Sequence, residues 1–485
     1  MHRRHAPHRA RIASLALAAT IALPAATAAP AAGIGNHTPV AGPHEAASVG
    51  WATANGGTDG GAGAAPESTY VVSNRAELLA ALDNRGAPDE PKIVYVQGTI
   101  HGNEAADGRL LGEQDYAPGY DIEQYLSCFT DQGWSDQTHD YCGQTRRLRT
   151  TGSNNLKRQQ EIKIPSNTTV LGLGTDAGLD ATNVMLHVDS DIVIRNLTIE
   201  APVDWFSSWD PWDGEEGSWN ARFDAMSSVT AHNIWVDHVT FTDGAYPDSA
   251  APTGPNGKPA NRHDGLFDMK DGTDFVTITN SRFLAHDKTM LLGSGDGNAD
   301  TDAGRLRVTI AGNLFEGTSQ RSPRVRFGNV HVLNNLYVAD VNDPISPIRS
   351  TANGGHAYFL GFGHDSSVIS EGNAFEYTGP GADESIIVAH WNGTEFADSG
   401  SWFNARPVDV EALAAAAYSH NQQAALAEAE ANGTTAPVWA LAGFSNDVRW
   451  DPAEEYPYTP LTTYADVKWH GKHATGAGEL LVQHP

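Results

Sequence analysis

The chain has 485 residues, 40% of them hydrophobic, with 49 glycines and 26 prolines, which is typical of a turn-rich, β-dominated globular protein. Its 59 acidic residues outnumber its 31 Lys and Arg residues, giving a formal net charge of −28. This balance excludes nucleic acid as a partner, because phosphate binding needs a basic surface. An anionic polymer could bind only where local cations or a metal ion offset the repulsion.

The first 28 residues have the composition of a secretory signal peptide. Four arginines precede the short apolar run 12–23, and Ala26-Thr27-Ala28 supplies a cleavage site of small residues. The apolar run is too short to span a bilayer, so we expect an exported protein without a membrane anchor. Residues 29–48, rich in Ala, Gly and Pro, predict a disordered leader before one domain over 49–485.

Two helices are predicted, one before and one after the central region of the sequence. The first lies near residues 74–84, with Asn74 as its N-cap and Glu77 three positions later. The second covers residues 409–431, with Asp409 as a possible N-cap and Gly433 as its stop. We expect this second helix to be an insertion that packs on a larger body.

Cys128 and Cys142 are the only cysteines of the chain. Since an exported protein folds in an oxidising compartment, we expect them to form a disulfide. The surrounding segment, residues 101–160, has no pattern that assigns it a place in the fold.

An irregular repeat occupies the middle of the chain. Each copy is a short β-branched run, usually followed by Asn or His, then an aromatic or aliphatic residue and a polar turn. The residues that close the copies are Ile199, Phe241, Phe283, Phe315, Tyr337 and Phe375. A repeat that shrinks to 22 residues but tolerates insertions predicts a parallel β-helix, in which stacked Asn amides can hydrogen-bond between coils. A β-sandwich is the alternative, but the hairpin turns typical of it are scarce.

Three aspartates have a spacing that would bring them together on adjacent coils. Asp224 and Asp264 are 40 residues apart, close to the interval of one inserted coil, and Asp268 follows. Clustered carboxylates repel one another, and calcium would offset this repulsion because it accepts oxygen ligands. Asp264 and Asp268 would lie about 13 Å apart on an ideal strand. We therefore expect Gly265 to let the chain turn.

The stretch RSPRVRFG concentrates cations in this acidic chain. Pro323 interrupts the alternation of a strand, so Arg321 and Arg326 could both face a cleft while Arg324 points elsewhere. Solvated surface charges or structural salt bridges are the alternative interpretation.

Four stretches together resemble the pectate lyases, family 1 of the polysaccharide lyases. NIWVDHVTF is similar to the family's Trp-Ile-Asp-His signature, with Val236 in place of isoleucine, and RSPRVRFGNVHVLNNLY matches its Arg-x-Pro-x-x-Arg motif. HDGLFDMKDGTDFVTITNSRF and HDKTMLLGSGD match two further blocks. The resemblance covers roughly residues 49–380. It implies an all-β fold, a right-handed parallel β-helix with inserted loops and a few peripheral helices.

The resemblance also implies the chemistry: calcium-dependent β-elimination on polygalacturonate, by a secreted protein that we expect to be a monomer. Asp224, Asp264 and Asp268 occupy the calcium-ligand positions of the family. Asp213, in WDPWDG, is similar to a position that can hold a further calcium ion when substrate is bound.

The resemblance gives the basic residues of these motifs the family's substrate-binding and catalytic roles. Lys288 and Arg326 match substrate-binding residues, and Arg321 matches the catalytic base. Arginine is normally protonated and a poor base, so calcium, Lys288 and Arg326 would have to favour its neutral form. An alkaline optimum would follow.

Three other functions are open to such a chain. A pectin lyase acts on the methyl-esterified polymer, but in that related family the calcium carboxylates are largely replaced. A glycoside hydrolase on a similar β-helix would need an acid/base carboxylate pair. A non-catalytic calcium-dependent polysaccharide binder would not need the intact RSPRVR.

Overall fold

The computed structural model describes residues 40–213, 217–254, 257, 259–342 and 356–483. The predicted signal peptide and residues 29–39 of the predicted leader lie outside the described residues. Strand β1 (Val40–Ala41) pairs in parallel with β32 (Leu481–Val482). The folded body therefore begins upstream of the predicted domain boundary at residue 49.

Eight strands stack into the first sheet, and all of their pairings are parallel. Successive coils of the chain each contribute one of these strands. In stacking order they are β6 (Glu161–Lys163), β8 (Asn183–His187), β13 (Met226–Val229), β16 (Phe267–Lys270), β19 (Leu291–Leu292), β22 (Arg324–Val325), β25 (Leu360–Gly363) and β28 (Val388–Trp391).

Eighteen strands form the second sheet, in which two parallel runs start from β7 (Thr168–Asp180). One run continues through β9 (Ser190–Arg195), β14 (His232–Asp237), β17 (Asp274–Thr279), β20 (Val308–Ala311), β23 (Asn329–Leu333), β26 (Ser367–Glu371) and β29 (Glu395–Ser399). The other run continues through β10 (Thr198–Glu200), β15 (Thr240–Thr242), β18 (Arg282–Lys288), β21 (Leu314–Gln320), β24 (Leu336–Asp340), β27 (Ala374–Thr378) and β30 (Trp402–Phe403). Each coil thus has three parallel strands, which confirms the predicted parallel β-helix.

The remaining strands lie at the ends of this sheet or in loops. Parallel pairing joins β2 (Thr69–Val72) to β3 (Lys92–His101) and β3 to β7, while β31 (Arg406–Pro407) runs antiparallel to β30. Two antiparallel hairpins stand outside the coils: β4 (Phe129–Thr130) with β5 (Gly133–Trp134), and β11 (Ser208–Asp210) with β12 (Ser218–Asn220).

The closing residues of the sequence repeat lie one above another inside the coils. Each pairs in register with the next, from Ile199 to Phe375. The rings of Phe241, Phe283, Phe315 and Tyr337 stack with centroids 4.8–4.9 Å apart and planes within 8°. The coil spacing therefore matches the thickness of stacked aromatic rings, and the repeat continues as one buried column.

A ladder of asparagines accompanies the aromatic column, as the repeat predicted. The Asn313 amide donates to Asn335 Oδ1 at 3.0 Å, and the Asn335 amide donates to Asn373 Oδ1 at 3.1 Å. Each amide also donates to a main-chain carbonyl of a strand in the preceding coil. These buried polar groups are thus paired, which avoids the cost of burying them without partners.

Helices cover both ends of the stack. Helix α1 (Arg75–Asp83) begins at Asn74, whose side chain accepts the Glu77 N–H, and packs on β2 and β3. Helix α6 (Val410–Asn432) begins at Asp409 and ends at Gly433, with φ +64°, and packs on β28 and β29. Both predicted helices are confirmed, and they protect the terminal coils as the caps of repeat proteins do.

Residues 101–160, which the sequence left unassigned, form a helical segment beside the coils. It contains α2 (Glu113–Tyr116), α3 (Ile122–Ser127) and α4 (Cys142–Gln160), and the predicted Cys128–Cys142 disulfide links α3 to α4. Its aromatic and aliphatic side chains pack with the loop before β13 in a second hydrophobic cluster: Tyr116, Tyr120, Tyr125, Leu156, Phe206, Trp209, Trp219 and Phe223. The segment therefore supports that loop.

Four further α-helices are short and peripheral: α5 (Ala299–Asp302), α7 (Val438–Ala442), α8 (Pro452–Glu455) and α9 (Tyr464–His473). Single 3-10 turns occur at Trp51–Thr53, Pro66–Ser68, Asn84–Gly86, Asp248–Ala250 and Glu384–Ile386. Within the described ranges, no helix combines the length and apolar character that crossing a bilayer requires.

The stacking of rings in the aromatic column leads to a prediction about the free energy of unfolding. Phe315→Ala removes a fully buried ring between two stacked neighbours and should lower the free energy of unfolding by about 3–5 kcal/mol. Urea unfolding followed by circular dichroism measures this change. Val438→Ala, at an exposed position of α7, is the control and should leave the midpoint almost unchanged. Equal midpoints for the two variants would contradict a stabilising role of the column.

Candidate active site

Two adjacent coils bring together the three aspartates predicted to cluster. Asp224 lies just before β13, Asp264 just before β16, and Asp268 within β16. The Asp264 N–H donates to the Phe223 carbonyl at 3.1 Å, and the Gly265 N–H donates to Asp224 Oδ1 at 2.9 Å. The interval of 40 residues thus corresponds to one coil.

The main chain bends at Leu266, directly after Gly265, and the glycine also meets a steric requirement that the sequence did not predict. A Cβ at this position would lie 2.5 Å from Asp268 Oδ1 and 3.0 Å from Asp224 Oδ1. Both distances are shorter than carbon–oxygen contacts allow without movement. Glycine is therefore needed here because the space between the two carboxylates has no room for a side chain.

Hydrogen bonds hold two of the carboxylates in place. Asp224 Oδ2 accepts from the Ser227 hydroxyl at 2.6 Å, in addition to the Gly265 N–H on Oδ1. Asp268 Oδ1 accepts from the Leu291 N–H at 2.9 Å, a donor on the next coil. These acceptor atoms are fixed by the coils themselves.

Two lysines balance part of the negative charge. Lys288, at the end of β18, donates to Asp264 Oδ1 at 2.8 Å. Lys270, on β16, lies with its Nζ 3.7 Å from Asp224 Oδ2 and 3.7 Å from Asp268 Oδ2. Burial lowers the pKa of both lysines, but the neighbouring aspartates raise it more, so both ammonium groups are charged.

The carboxylates differ in how well their charge is balanced. Burial, and then the charge of Asp224, raise the pKa of Asp268 to about 7. Burial and Asp264 also raise the pKa of Asp224. Burial raises the pKa of Asp264 too, but Lys288 and Lys270 lower it more, so its net shift is downward. The negative charges of Asp224 and Asp268 are thus compensated less than that of Asp264.

This donor set fits a hard divalent cation. Within the ranges that the structure describes, no group of three or more His, Cys, Asp or Glu side chains is arranged to hold a metal ion. However, the ligands available are carboxylate oxygens, which calcium prefers. Two of these carboxylates, on Asp224 and Asp268, converge over Gly265, and a bound cation would relieve the repulsion between them.

His286 is a residue of this site that the sequence did not single out. Its Nδ1 lies 2.7 Å from Asp243 Oδ1, and its Nε2 lies 2.7 Å from the Asp264 carbonyl oxygen. Both nitrogens can donate only in the charged imidazolium. Burial lowers the pKa of His286, but Asp243 raises it more, to about 9. The ring therefore holds the main chain of Asp264 in position.

Arg321 follows β21 with φ +59°, and its peptide neighbour Ser322–Pro323 is cis. Its guanidinium contributes, after burial and Lys288, to the pKa shift of Asp264, which puts the two groups within electrostatic range. Its Nε is buried and has no hydrogen-bond partner among the described residues. Arg321 thus acts on the aspartates through its charge, while its Nε–H has no acceptor among the described residues.

The other two arginines of the motif have separate partners. Arg324 stacks on Trp391, with its guanidinium carbon 3.9 Å from the ring centroid. Arg326 donates from Nε to Asp296 Oδ1 at 2.7 Å and from Nη1 to the Gly293 carbonyl at 2.9 Å. No described contact joins Arg326 to the aspartate cluster.

Asp213 is not brought to the cluster. It is exposed after β11, and among the described residues no hydrogen bond or ion pair connects it with the three clustered aspartates. The hydrogen bond that Asp213 makes among the described residues is long, 3.4 Å from its N–H to the Asp210 carbonyl.

Comparison with known proteins decides the family. The pectate lyase family model matches residues 141–479, more than half of the chain. The chain belongs to the pectate lyase family. It is thus a polysaccharide lyase of family 1, as its motifs predicted.

Individual pectate lyases agree along nearly the whole chain. A pectate lyase of Bacillus subtilis is 34% identical over 432 residues, which is 89% of this chain and 92% of that protein. The solved pectate lyase of Acidovorax avenae subsp. citrulli superposes with a TM-score of 0.77 at 28% identity, covering 92% of this chain and 97% of that one. A solved pectate lyase bound to a hexasaccharide has a TM-score of 0.75 at 30% identity, covering 90% and 99%.

His286 links the Asp243 carboxylate to the main chain of Asp264, and this bridge leads to a prediction about the stability of this pectate lyase. His286→Leu leaves the buried Asp243 carboxylate without its partner and should lower the free energy of unfolding by about 3–5 kcal/mol. Urea unfolding at pH 7 measures the loss. The control, His420→Leu on the exposed face of α6, should cost less than about 0.5 kcal/mol. Similar unfolding midpoints for the two variants would show that the bridge does not stabilise the site.

Proposed function

We propose that this pectate lyase is secreted and cleaves polygalacturonate by calcium-dependent β-elimination, giving 4,5-unsaturated oligogalacturonates. One observation carries the proposal: adjacent coils juxtapose three carboxylates, Asp224, Asp264 and Asp268, with the cations of Lys288 and Arg321. Such a site offers oxygen ligands to a metal ion and positive charge to an anionic sugar chain. The hexasaccharide complex of a related pectate lyase supports an oligosaccharide chain as ligand.

Two features support secretion. Residues 1–28 have the charge and apolar pattern of a signal peptide. The Cys128–Cys142 disulfide is typical of proteins outside the reducing cytosol.

In the proposed site, Asp224, Asp264 and Asp268 hold calcium. When bound, the ion supplies positive charge that stabilises the negative charge developing on the uronate. Asp213 is proposed to hold a further ion only when polymer is present, which is compatible with its exposed position.

The cations bind and activate the sugar. Lys288 and Arg326 are proposed to bind uronate carboxylates through charge-assisted hydrogen bonds. Arg321, in its neutral form, is proposed to take the proton from C5. The electron pair of the C5–H bond then forms the C4–C5 double bond, the C4–O bond breaks, and the leaving oxygen takes up a proton from water. The electrostatic influence of the Arg321 guanidinium on Asp264 supports this assignment.

The reaction type is tested by the products. Incubation with polygalacturonate and Ca²⁺ should produce ultraviolet absorbance from the new C4–C5 double bond, in proportion to new reducing ends. A chelator should abolish both signals, and added Ca²⁺ should restore them. Highly methyl-esterified pectin is the comparison substrate and should be cleaved more slowly. New reducing ends without ultraviolet absorbance would indicate hydrolysis and contradict the proposal.

The role of Arg321 is tested by substitution. Arg321→Lys should lower kcat by roughly 10²–10⁴-fold, the usual contribution of a general base, with little change in KM. Arg324→Lys is the matched control from the same motif, because Arg324 stacks on Trp391 instead of facing the aspartates. If Arg321→Lys keeps a kcat close to that of the Arg324 variant, Arg321 is not the base.

A further inference from the structure

Lys270 is the one charged side chain of the aspartate cluster, as the described residues show it, for which the proposed mechanism has no role. It lies two residues after Asp268 on β16, so both side chains leave the same face of the strand. Its Nζ is 3.7 Å from Asp224 Oδ2 and 3.7 Å from Asp268 Oδ2. The ammonium group is thus equidistant from the two carboxylates that flank Gly265.

The two carboxylates are held firmly, whereas Lys270 is held loosely. Asp224 and Asp268 accept hydrogen bonds of 2.6–2.9 Å from Ser227, Gly265 and Leu291. A distance of 3.7 Å is too long for a direct hydrogen bond. Lys270 therefore interacts with both carboxylates mainly through its charge, and its side chain is 28% exposed, so it has a path towards solvent.

Lys288 behaves differently. Its Nζ makes a direct hydrogen bond of 2.8 Å to Asp264 Oδ1, and its side chain is only 14% exposed. Of the two lysines, Lys270 is thus the one that a more strongly charged ion could displace without breaking a hydrogen bond.

We propose that Lys270 is an internal counter-ion, which neutralises Asp224 and Asp268 in the metal-free protein and leaves them when a calcium ion binds. This inference rests on the proposed calcium-dependent function. Two buried carboxylates without a cation would repel each other, so the lysine stabilises the metal-free fold. The same charge competes with the ion and so weakens calcium binding. Lys270 thereby determines the calcium concentration at which the enzyme becomes active.

The test measures calcium binding directly, without substrate. Lys270→Met keeps the length of the side chain and removes its charge. Titration calorimetry of the full secreted chain with CaCl₂ should give a Kd roughly tenfold lower than that of the unmodified protein, since removing a like charge a few ångströms away strengthens binding. Lys270→Arg keeps the charge and should not lower the Kd.

A matched control separates the effect of removing a charge beside Asp224 and Asp268 from the effect of changing the net charge of the protein. Lys163, on β6 of the same sheet, pairs with the buried carboxylate of Asp189 at 3.1 Å. Lys163→Met changes the net charge equally and should leave the calcium Kd unchanged. If Lys270→Met binds calcium no more tightly than the unmodified protein, or if Lys163→Met tightens binding equally, the inference is wrong.

The melting temperature provides a second measurement that is independent of calorimetry. In EDTA, Lys270→Met should melt at a lower temperature than the unmodified protein, and saturating Ca²⁺ should remove the difference. If the variant does not fold in EDTA, Lys270→Gln, purified with Ca²⁺, gives the Kd by competition with a calcium chelator. Absence of calcium binding to the unmodified protein would instead overturn the proposed function.

Discussion

Parallel stacking of successive coils, about 4.8 Å apart, is the constraint on which the rest of this structure depends. It places equivalent residues of neighbouring coils directly above one another, whether or not their side chains attract. For Phe283 and Phe315 the result is a stacked pair of rings, and for Asn313 and Asn335 it is a hydrogen bond between amides. Side chains that could not tolerate an identical or similar neighbour at this distance would break the column.

The same constraint forces like charges together at the edge of the first sheet. Asp224 and Asp268 belong to adjacent coils, and the space between them accepts no side chain at Gly265. The coil geometry makes this repulsion unavoidable, so it has to be balanced by cations. Lys270 and Lys288 supply this balance in different ways, one through charge alone and one through a hydrogen bond. A buried carboxylate with a pKa of about 7, as for Asp268, shows that the balance is incomplete.

The column and the aspartate cluster could be predicted because both depend on sequence intervals. Phe241 and Phe283 are 42 residues apart and stack, and the same reasoning applied to the aspartates leads to adjacent coils. Asp243 and His286 are 43 residues apart, so the interval could have revealed this pair as well. Its role could not be predicted, because the contact of His286 with the Asp264 carbonyl depends on how the loop before β16 folds. The lack of room for a side chain at Gly265 likewise could not be predicted, because it depends on the positions of the Asp224 and Asp268 carboxylates in the folded chain.

The insertions that obscure the repeat also explain why the site forms where it does. The uninterrupted coil between Phe315 and Tyr337 has no long loop and brings Arg321 to the site from the short connection between β21 and β22, whereas the aspartates come from coils with insertions. Asp224 follows a long insertion, and its neighbour Phe223 is buried in the hydrophobic cluster formed with residues 101–160. The described residues show no hydrogen bond or ion pair between the disulfide-linked helices of that segment and the three aspartates, yet Phe223, one residue before Asp224, packs in the same hydrophobic cluster as these helices. The segment thus contributes to the site by restricting the loop, since a carboxylate can be held beside another only if its main chain is not free to move away.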